Sequence, residues 1–408
     1  MHHLRPDHRP RRAAPQGPFR RRAVALALAT AVLASACSSG AEAGGRDAGT
    51  TEAGPSSTTA APTGDPAIYP GAEWAEADPA ASGLDPAAFD RLAAQAEAAD
   101  SSCLVVTRHG AVVDERYWQG SDAESAQEAF SVTKSITSTL VGIAQDEGDL
   151  ALDDSASRYI PSWAGTPAEA VTVEDLLSND SGREWSLSLD YGQMVNATDQ
   201  TAFAVGLGQP RPPGQEWVYN NSAIQTLDEV LTTATGQEPQ DYARARLFDR
   251  IGMDRSEMTT DAAGNTRTFM GLQTTCLDLA RFGYLMLRGG EWDGEQVVSR
   301  QYVEAATGRS STELNAAYGY LWWLNRRGQL ADPDVATTGA PDGARPDDQM
   351  VPGVPDDVFW ALGLFDQIVA VIPSEGIVAT RMGGPPDPET PFSQTELTEG
   401  LLEAVTDR

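Results

Sequence analysis

Segments that favour β-strands lie at the two ends of the folded part of this chain, which limits the topologies open to it. The sequence between them is mostly helical or looped in pattern, up to about residue 309. Strands this far apart share a core only by pairing across the insertion, so we predict an antiparallel sheet built from both chain ends. The predicted strands are Cys103–Thr107, Ala111–Trp118, Val358–Ile372 and Gly376–Met382.

Helices are predicted on both sides of this sheet. Leu84–Ala99 and Ser393–Val405 have the apolar spacing of amphipathic helices, as does Ser131–Glu147 within the chain. The fold class is therefore α+β (an α/β sandwich), an antiparallel sheet flanked by terminal helices with an inserted helical region. The predicted domain is 67–408, with a sheet region over about 67–150 and 310–408 and a helical region over about 151–309.

The N-terminus has the organisation of an export signal. Arg20–Arg22 precede an apolar segment, Ala23–Ala34, that is too short to span a bilayer as a helix, and small residues then lead to Cys37. A cysteine at this place resembles a bacterial lipobox, although an ordinary signal with a chance cysteine is the alternative. We predict a lipoprotein-type signal peptide over 1–36, lipidation of Cys37, and a flexible linker over 37–66. The protein would be exported and attached to the cell membrane by this lipid anchor only.

Charge and histidine content exclude several classes of function. The formal net charge is −30, so nucleic acid is a poor partner because both molecules are anionic. Only His109 follows the predicted signal, which excludes a multi-histidine metal site, and we expect no metal and no cofactor. His109 falls in the predicted hairpin turn Arg108–Gly110, a poor place for the base of a Ser-His-Asp triad.

Two cysteines remain after the signal, Cys103 and Cys276. An oxidising exterior permits a disulfide between them. Two cysteines far apart in sequence are equally compatible with buried thiols, and the position of Cys103 in a predicted strand favours that interpretation.

The main candidate for chemistry is the S-x-x-K pattern of Ser131 and Lys134, which uses the chain's only lysine. Residues three apart on a helix share one face. A neutral lysine can take the proton of a serine hydroxyl, and both burial and the positive end of a helix favour the neutral form. The alternative is a plain helix start, with Ser131 as N-cap and Lys134 exposed.

The segment Phe130–Ser138 resembles the first motif of the serine β-lactamase and penicillin-binding-protein superfamily. The similarity covers most of residues 70–405, and it implies that superfamily's fold and an acyl-enzyme on Ser131. Tyr219-Asn220-Asn221 resembles the second motif, Y-x-N, of the class-C-like branch. By this resemblance Tyr219 relays protons, with a phenol pKa lowered by the neighbouring ammonium, and Asn221 holds Lys134 or the substrate carbonyl.

The third motif, usually K-T-G or H-x-G, is best matched by Ala361-Leu362-Gly363. Gly363 permits close backbone approach, and the N–H groups of Ser131 and Leu364 would form the oxyanion hole. Ala361 replaces the basic residue that helps β-lactamases and cell-wall peptidases hold a substrate carboxylate. The stretch is more similar to the 6-aminohexanoate-dimer hydrolase and family VIII esterase group.

The resemblance therefore implies a serine hydrolase that acts on a small ester or amide through Ser131, Lys134 and Tyr219. The alternatives are a β-lactamase or D-alanyl-D-alanine carboxypeptidase, and an inactive cell-envelope binding protein on the same fold. The sequence leaves the natural substrate and the oligomeric state open.

Two further features are candidates for substrate binding. Trp185, Tyr191 and Trp217 could line the acyl pocket, with core packing as the alternative. The long loop 331–358 precedes the third motif, and we hypothesise that it covers the mouth of the site.

Overall fold

The computed structural model describes residues 68–331, 333, 348–385 and 389–407. The predicted signal peptide over 1–36 and the linker over 37–66 lie outside the described residues, as does most of the loop 331–358. The predictions made for them therefore stay predictions.

The predicted strand and helix segments are present, and the structure adds short strands between residues 127 and 324 that the sequence did not predict. The strands are β1 Ser101–Arg108, β2 Ala111–Tyr117, β3 Gln127–Glu128, β4 Glu257–Met258, β5 Leu272–Thr274, β6 Glu291–Trp292, β7 Glu295–Gln296, β8 Trp323–Leu324, β9 Phe359–Gly363, β10 Gln367–Ile372 and β11 Ile377–Gly383. The α-helices are α1 Pro86–Ala98, α2 Val132–Glu147, α3 Val173–Ser178, α4 Gln200–Val205, α5 Asn221–Gln225, α6 Leu227–Thr235, α7 Pro239–Ala243, α8 Asp249–Ile251, α9 Cys276–Leu287, α10 Arg300–Thr307 and α11 Gln394–Ala404.

The main sheet joins the two chain ends, and its six strands are all antiparallel in the order β2-β1-β11-β10-β9-β8. The first and last parts of the chain meet where β1 pairs with β11, with Val105 opposite Thr380. The antiparallel sheet and the α+β fold class are thus confirmed.

Two hydrophobic cores lie on the opposite faces of this sheet. Successive side chains of a strand alternate between faces, so Val105 joins the core beneath α2 and α9 while Leu104 and Val106 face α1 and α11. Phe89 of α1 and Leu401 of α11 fill the second core. Terminal helices on one face and the inserted helices on the other bury the sheet from both sides.

The predicted single strand Val358–Ile372 is wrong in one respect. The structure divides it into β9 and β10, joined by the three residues Leu364, Phe365 and Asp366. Phe365 and Asp366 have φ values of 65° and 57°, in the left-handed region that favours glycine. Asp366 is a common turn residue, but it stands alone within the apolar segment from Val358 to Ile372, so the pattern favours a continuous strand.

A disulfide joins Cys103 of β1 to Cys276, the first residue of α9, across 173 residues of chain. The sequence interpretation that favoured two buried thiols is wrong. The helix start of α9 packs against the sheet at β1, which brings two distant cysteines within bonding distance. The spacing of the two cysteines in the sequence does not predict that contact.

Among the described helices, none combines the length and the apolar character needed to cross a lipid bilayer.

Removal of this disulfide by a Cys103→Ser/Cys276→Ser double substitution should lower the free energy of unfolding by about 2–5 kcal/mol. A cross-link that closes so long a loop strongly restricts the unfolded chain. Urea unfolding of the wild type with and without reductant, beside the double variant, measures the difference. Alkylation of both Cys103 and Cys276 in the denatured, unreduced wild type would contradict the prediction.

Candidate active site

Ser131 and Lys134 meet at the start of α2. Ser131 directly precedes the helix, and Lys134 lies in its first turn. Lys134 Nζ donates hydrogen bonds to Ser131 Oγ at 2.7 Å and to the Phe269 carbonyl oxygen at 2.8 Å. The lysine side chain is buried, so the alternative of an N-cap serine with an exposed lysine is wrong.

Burial changes the acidity of this lysine. Removal of the ammonium from water lowers the pKa of Lys134 from 10.5 to about 7, although the negative charge of Asp190 opposes this shift. At neutral pH a large fraction of the amine is therefore unprotonated. A neutral amine 2.7 Å from a serine hydroxyl can act as its general base.

Tyr219 completes the group around Ser131. Its ring centre lies 4.8 Å from Lys134 Nζ, it lines the same cavity as Ser131, and Trp323 stacks on the ring. The expected lowering of its pKa is wrong, because burial raises the pKa of the Tyr219 phenol. The lysine faces the ring and is itself easily deprotonated, so it gives the phenolate little stabilisation. Tyr219 is therefore a protonated phenol at neutral pH, suited to donate a proton.

Asn221 is the first residue of α5 and is held by a buried carboxylate that no sequence motif marks. Asp190 accepts hydrogen bonds from the backbone N–H groups of Asn221, at 2.7 Å, and Ser222, at 3.1 Å. The indole N–H of Trp185 also donates to it, at 3.2 Å. Asp190 thus fixes the start of α5 beside the site while its charge acts on Lys134. It lies in the short helical turn Ser188–Gln193, which carries no motif.

Gly363 brings the sheet against the nucleophile. A Cβ atom at this position would lie 2.3 Å from the Ala129 carbonyl oxygen and 3.2 Å from the Ser131 nitrogen. Only glycine permits this approach between the end of β9 and the start of α2. Leu364 follows directly, which supports the pairing of its N–H with that of Ser131 as oxyanion donors.

The turn after Gly363 is held from inside the protein by two buried polar side chains. Gln367 Nε2 donates to the carbonyl oxygens of Leu364, at 3.1 Å, and Phe365, at 3.2 Å. The guanidinium of Arg381, fully buried on β11, donates to Phe365 O at 2.5 Å and to Asp366 O at 3.0 Å. These bonds stabilise the two left-handed residues of the turn. An arginine within an apolar strand segment was the available signal for this role.

These elements surround a cavity of about 470 Å³. Six residues singled out in the sequence line it, namely Ser131, Tyr191, Tyr219, Asn221, Gly363 and Leu364. The remaining wall is apolar except for backbone, and comes from Phe130, Val195, Phe269, Met270, Trp323, Pro333 and Leu362.

Two of the aromatic residues considered for the pocket lie elsewhere. Trp217 is completely buried and packs against Tyr318 and Trp323, so its role is core packing. Trp185 is absent from the cavity wall and contacts Asp190. Pro333 reaches the wall from the loop 331–358, but most of that loop lies outside the described residues.

The cavity wall carries no charged side chain within the described ranges. Ala361, in the place of the family's basic residue, is buried in β9. Over the same ranges, no group of three or more His, Cys, Asp and Glu side chains is arranged to hold a metal ion.

The chain is similar in sequence to known proteins. A family model described as Beta-lactamase matches residues 89–389 of the chain. A 6-aminohexanoate-dimer hydrolase from Paenarthrobacter ureafaciens is 25% identical over 267 residues, which cover 57% of this chain and 66% of that protein. Penicillin-binding protein 4 from Amycolatopsis lactamdurans is 31% identical over 151 residues, or 36% of this chain and 40% of that protein. Both alignments span less than two thirds of the relative.

The fold is also shared with a solved structure. A Bacillus anthracis protein, provisionally named a 6-aminohexanoate-dimer hydrolase, superimposes with a TM-score of 0.60 at 21% identity. The superposition covers 76% of this chain and 79% of the other.

Reaction of Ser131 with a fluorophosphonate should depend on pH with one ionisation near 7. Below that pH Lys134 is an ammonium and cannot accept the serine proton, so the labelling rate should fall about tenfold per pH unit. Above it the rate should level off. The rate constant from pH 5 to 9, measured by intact mass, tests this, and a rate still rising steeply from pH 8 to 9 would contradict a base with a lowered pKa.

Substitution of Arg381 by Met should lower the same rate constant at pH 8 by roughly tenfold or more, because the turn that presents the Leu364 N–H loses its internal support. Ser101→Ala is the matched control. Ser101 Oγ accepts from Arg381 Nε at 2.8 Å, whereas the turn carbonyl oxygens accept from Arg381 Nη1. Both variants should lose stability, and only Arg381→Met should lose reactivity at temperatures where both stay folded. Equal losses of reactivity in Arg381→Met and Ser101→Ala would contradict the positioning role of Arg381.

Proposed function

The chain belongs to the Beta-lactamase family of serine hydrolases, and we propose that it hydrolyses a carboxylic ester or amide through a Ser-Lys-Tyr acyl-enzyme mechanism. The observation that carries the proposal is the 2.7 Å contact between buried Lys134 Nζ and Ser131 Oγ at the floor of an apolar cavity. Of the carboxylesterase and 6-aminohexanoate-dimer-hydrolase types of activity, the carboxylesterase type fits this site better, because the described cavity wall has no charged side chain to pair with an aminohexanoyl ammonium.

Acylation begins when the neutral amine of Lys134 takes the hydroxyl proton of Ser131. The Ser131 oxygen bonds to the substrate carbonyl carbon, and the negative charge that develops on the carbonyl oxygen faces the N–H groups of Ser131 and Leu364. The bond to the leaving group then breaks. The protonated Tyr219 gives its proton to the departing oxygen or nitrogen and is reprotonated by the Lys134 ammonium.

Deacylation repeats these steps with water in place of the serine. Lys134, neutral again, removes a proton from the water through Tyr219 or directly, and the resulting tetrahedral intermediate occupies the same oxyanion donors. Its collapse breaks the bond between the acyl carbon and the Ser131 oxygen. The serine recovers its proton and the carboxylic acid leaves.

The cavity favours substrates that carry no carboxylate beside the scissile bond. Ala361 offers no cation where the family places one, and the described wall has no charged side chain. The net charge of −30 also repels anionic ligands. Both features weigh against a β-lactamase or a D-alanyl-D-alanine carboxypeptidase, whose substrates are carboxylates.

We also propose that the protein is exported and anchored through Cys37. The disulfide between Cys103 and Cys276 supports this, because such bonds persist in oxidising compartments and are rare in the cytosol.

The wild-type protein should gain one fluorophosphonate adduct and hydrolyse p-nitrophenyl butyrate, and Ser131→Ala should lose both. The sequence holds one lysine, Lys134, and it contacts Ser131, so a second labelled site is not expected. Nitrocefin turnover exceeding ester turnover would favour the β-lactamase alternative. Folded wild type with no adduct and no turnover would support the inactive binding protein.

A Cys37→Ser variant, expressed in a bacterium that processes lipoproteins, should move from the membrane fraction to the soluble fraction. The physical reason is loss of the acyl chains that would hold the tether to the bilayer. Cell fractionation measures the move to the soluble fraction, and metabolic labelling with an alkyne fatty acid measures the loss of acylation. Equal labelling of the two proteins would contradict the anchor at Cys37.

A further inference from the structure

Large apolar side chains are exposed mainly around the active-site cavity. Of the five that the structure shows as strongly exposed among the described residues, four lie on segments bordering its mouth. Tyr191 and Leu364 line the cavity, with 53% and 57% of their surface exposed. We call these four residues the apolar rim; they are Leu187, Tyr191, Leu364 and Phe365.

The rim has two sides, each on a different element. Leu187 and Tyr191 are four residues apart at the helical turn Ser188–Gln193, so their side chains project on the same side. Leu364 and Phe365 belong to the turn between β9 and β10, and the Phe365 ring packs edge-on against Phe130 of the cavity wall at 5.4 Å. The apolar wall of the cavity therefore continues outward onto both sides of the mouth.

Scattered exposed apolar residues are ordinary on protein surfaces, but a group of them continuous with a reactive serine is not. Exposure of these four apolar side chains to water is unfavourable. An apolar ligand that covers them during the reaction would remove this cost. The occupant must reach Ser131 with its carbonyl group, and its remainder must be apolar.

We propose that the natural substrate is an ester or amide of a long, uncharged alkyl carboxylic acid, whose acyl chain fills the cavity and extends over the apolar rim. This inference rests on the proposed function and names its substrate class. A charged end on the acyl chain is disfavoured because the described cavity wall carries no charged side chain to pair with it, and the net charge of −30 further disfavours an anionic end.

The expected rise in kcat/KM with acyl-chain length follows from the burial of methylene groups. A fully buried methylene is worth about 0.8 kcal/mol, which is about fourfold in kcat/KM. A chain that lies on an open rim is about half covered, so each methylene should give about twofold. From butyrate to octanoate, four methylenes, kcat/KM should then rise roughly sixteenfold.

The experiment measures kcat/KM for p-nitrophenyl acetate, butyrate, hexanoate, octanoate and decanoate, each below the concentration at which it aggregates. Leu187→Ser is the rim variant, because Leu187 is exposed and does not line the cavity. Ile68→Ser is the matched control. Ile68 is similarly exposed, at 46%, but its backbone lies beside Gly110 in the hairpin between β1 and β2, and it is not part of the cavity wall.

Wild type and Ile68→Ser should show the same rise with chain length. Leu187→Ser should keep the wild-type rate on acetate and lose several-fold of the octanoate-to-butyrate ratio. A p-nitrophenyl monoester of a dicarboxylic acid of octanoate length should react at least tenfold more slowly than octanoate.

The failures can be told apart. No turnover of any ester, acetate included, would overturn the proposed function itself. Turnover of acetate with a flat or falling series beyond butyrate would overturn only the long-chain inference. If kcat/KM rises with chain length equally in wild type and Leu187→Ser, the rim has no role in binding the chain. If the carboxylate-terminated ester reacts as fast as octanoate, the substrate need not have an uncharged end.

Discussion

The hydrogen bond between Lys134 Nζ and Ser131 Oγ sets conditions that the surrounding structure has to meet. The amine must stay out of water to remain partly neutral, yet it must touch the nucleophile that substrates reach. The first turn of α2 satisfies both conditions, because it buries Lys134 beneath Ser131 while Ser131 itself lines the cavity. The Phe269 carbonyl oxygen supplies the second hydrogen bond that a buried amine needs.

A second condition is that an oxyanion hole needs donors from two elements at a fixed distance. The two proposed donors come from different elements, because Ser131 precedes α2 and Leu364 follows β9, the strand next to the edge of the sheet. Gly363 allows the two backbones to touch, and Arg381 and Gln367 hold the turn from beneath. A buried arginine of β11, a strand far from Ser131 in the sequence, thus supports the turn that carries Leu364.

The sequence predicted the elements of this arrangement more readily than their contacts. Ser131, Lys134 and Tyr219 could be recognised because their motif is local and because the chain holds one lysine. The sheet built from both ends followed from where the strand-like segments lie. Asp190, Phe269 and the disulfide could not be found, since each acts through a contact between segments distant in sequence. The same is true of the Tyr219 pKa, which is decided by burial that no local pattern reveals.

The lysine at the centre of the site destabilises the protein that contains it. Its pKa is about 7 in the folded protein against 10.5 ordinarily, so the unfolded chain binds a proton that the folded chain does not between these two values. Stability therefore falls as the pH falls from about 10.5 to about 7, and the full cost, on the order of 5 kcal/mol, is present at neutral pH. That cost approaches the whole net stability of an ordinary domain. The two cores on either side of the sheet and the disulfide must offset this cost. The active site can therefore keep a buried lysine only because the scaffold is stable enough to tolerate it.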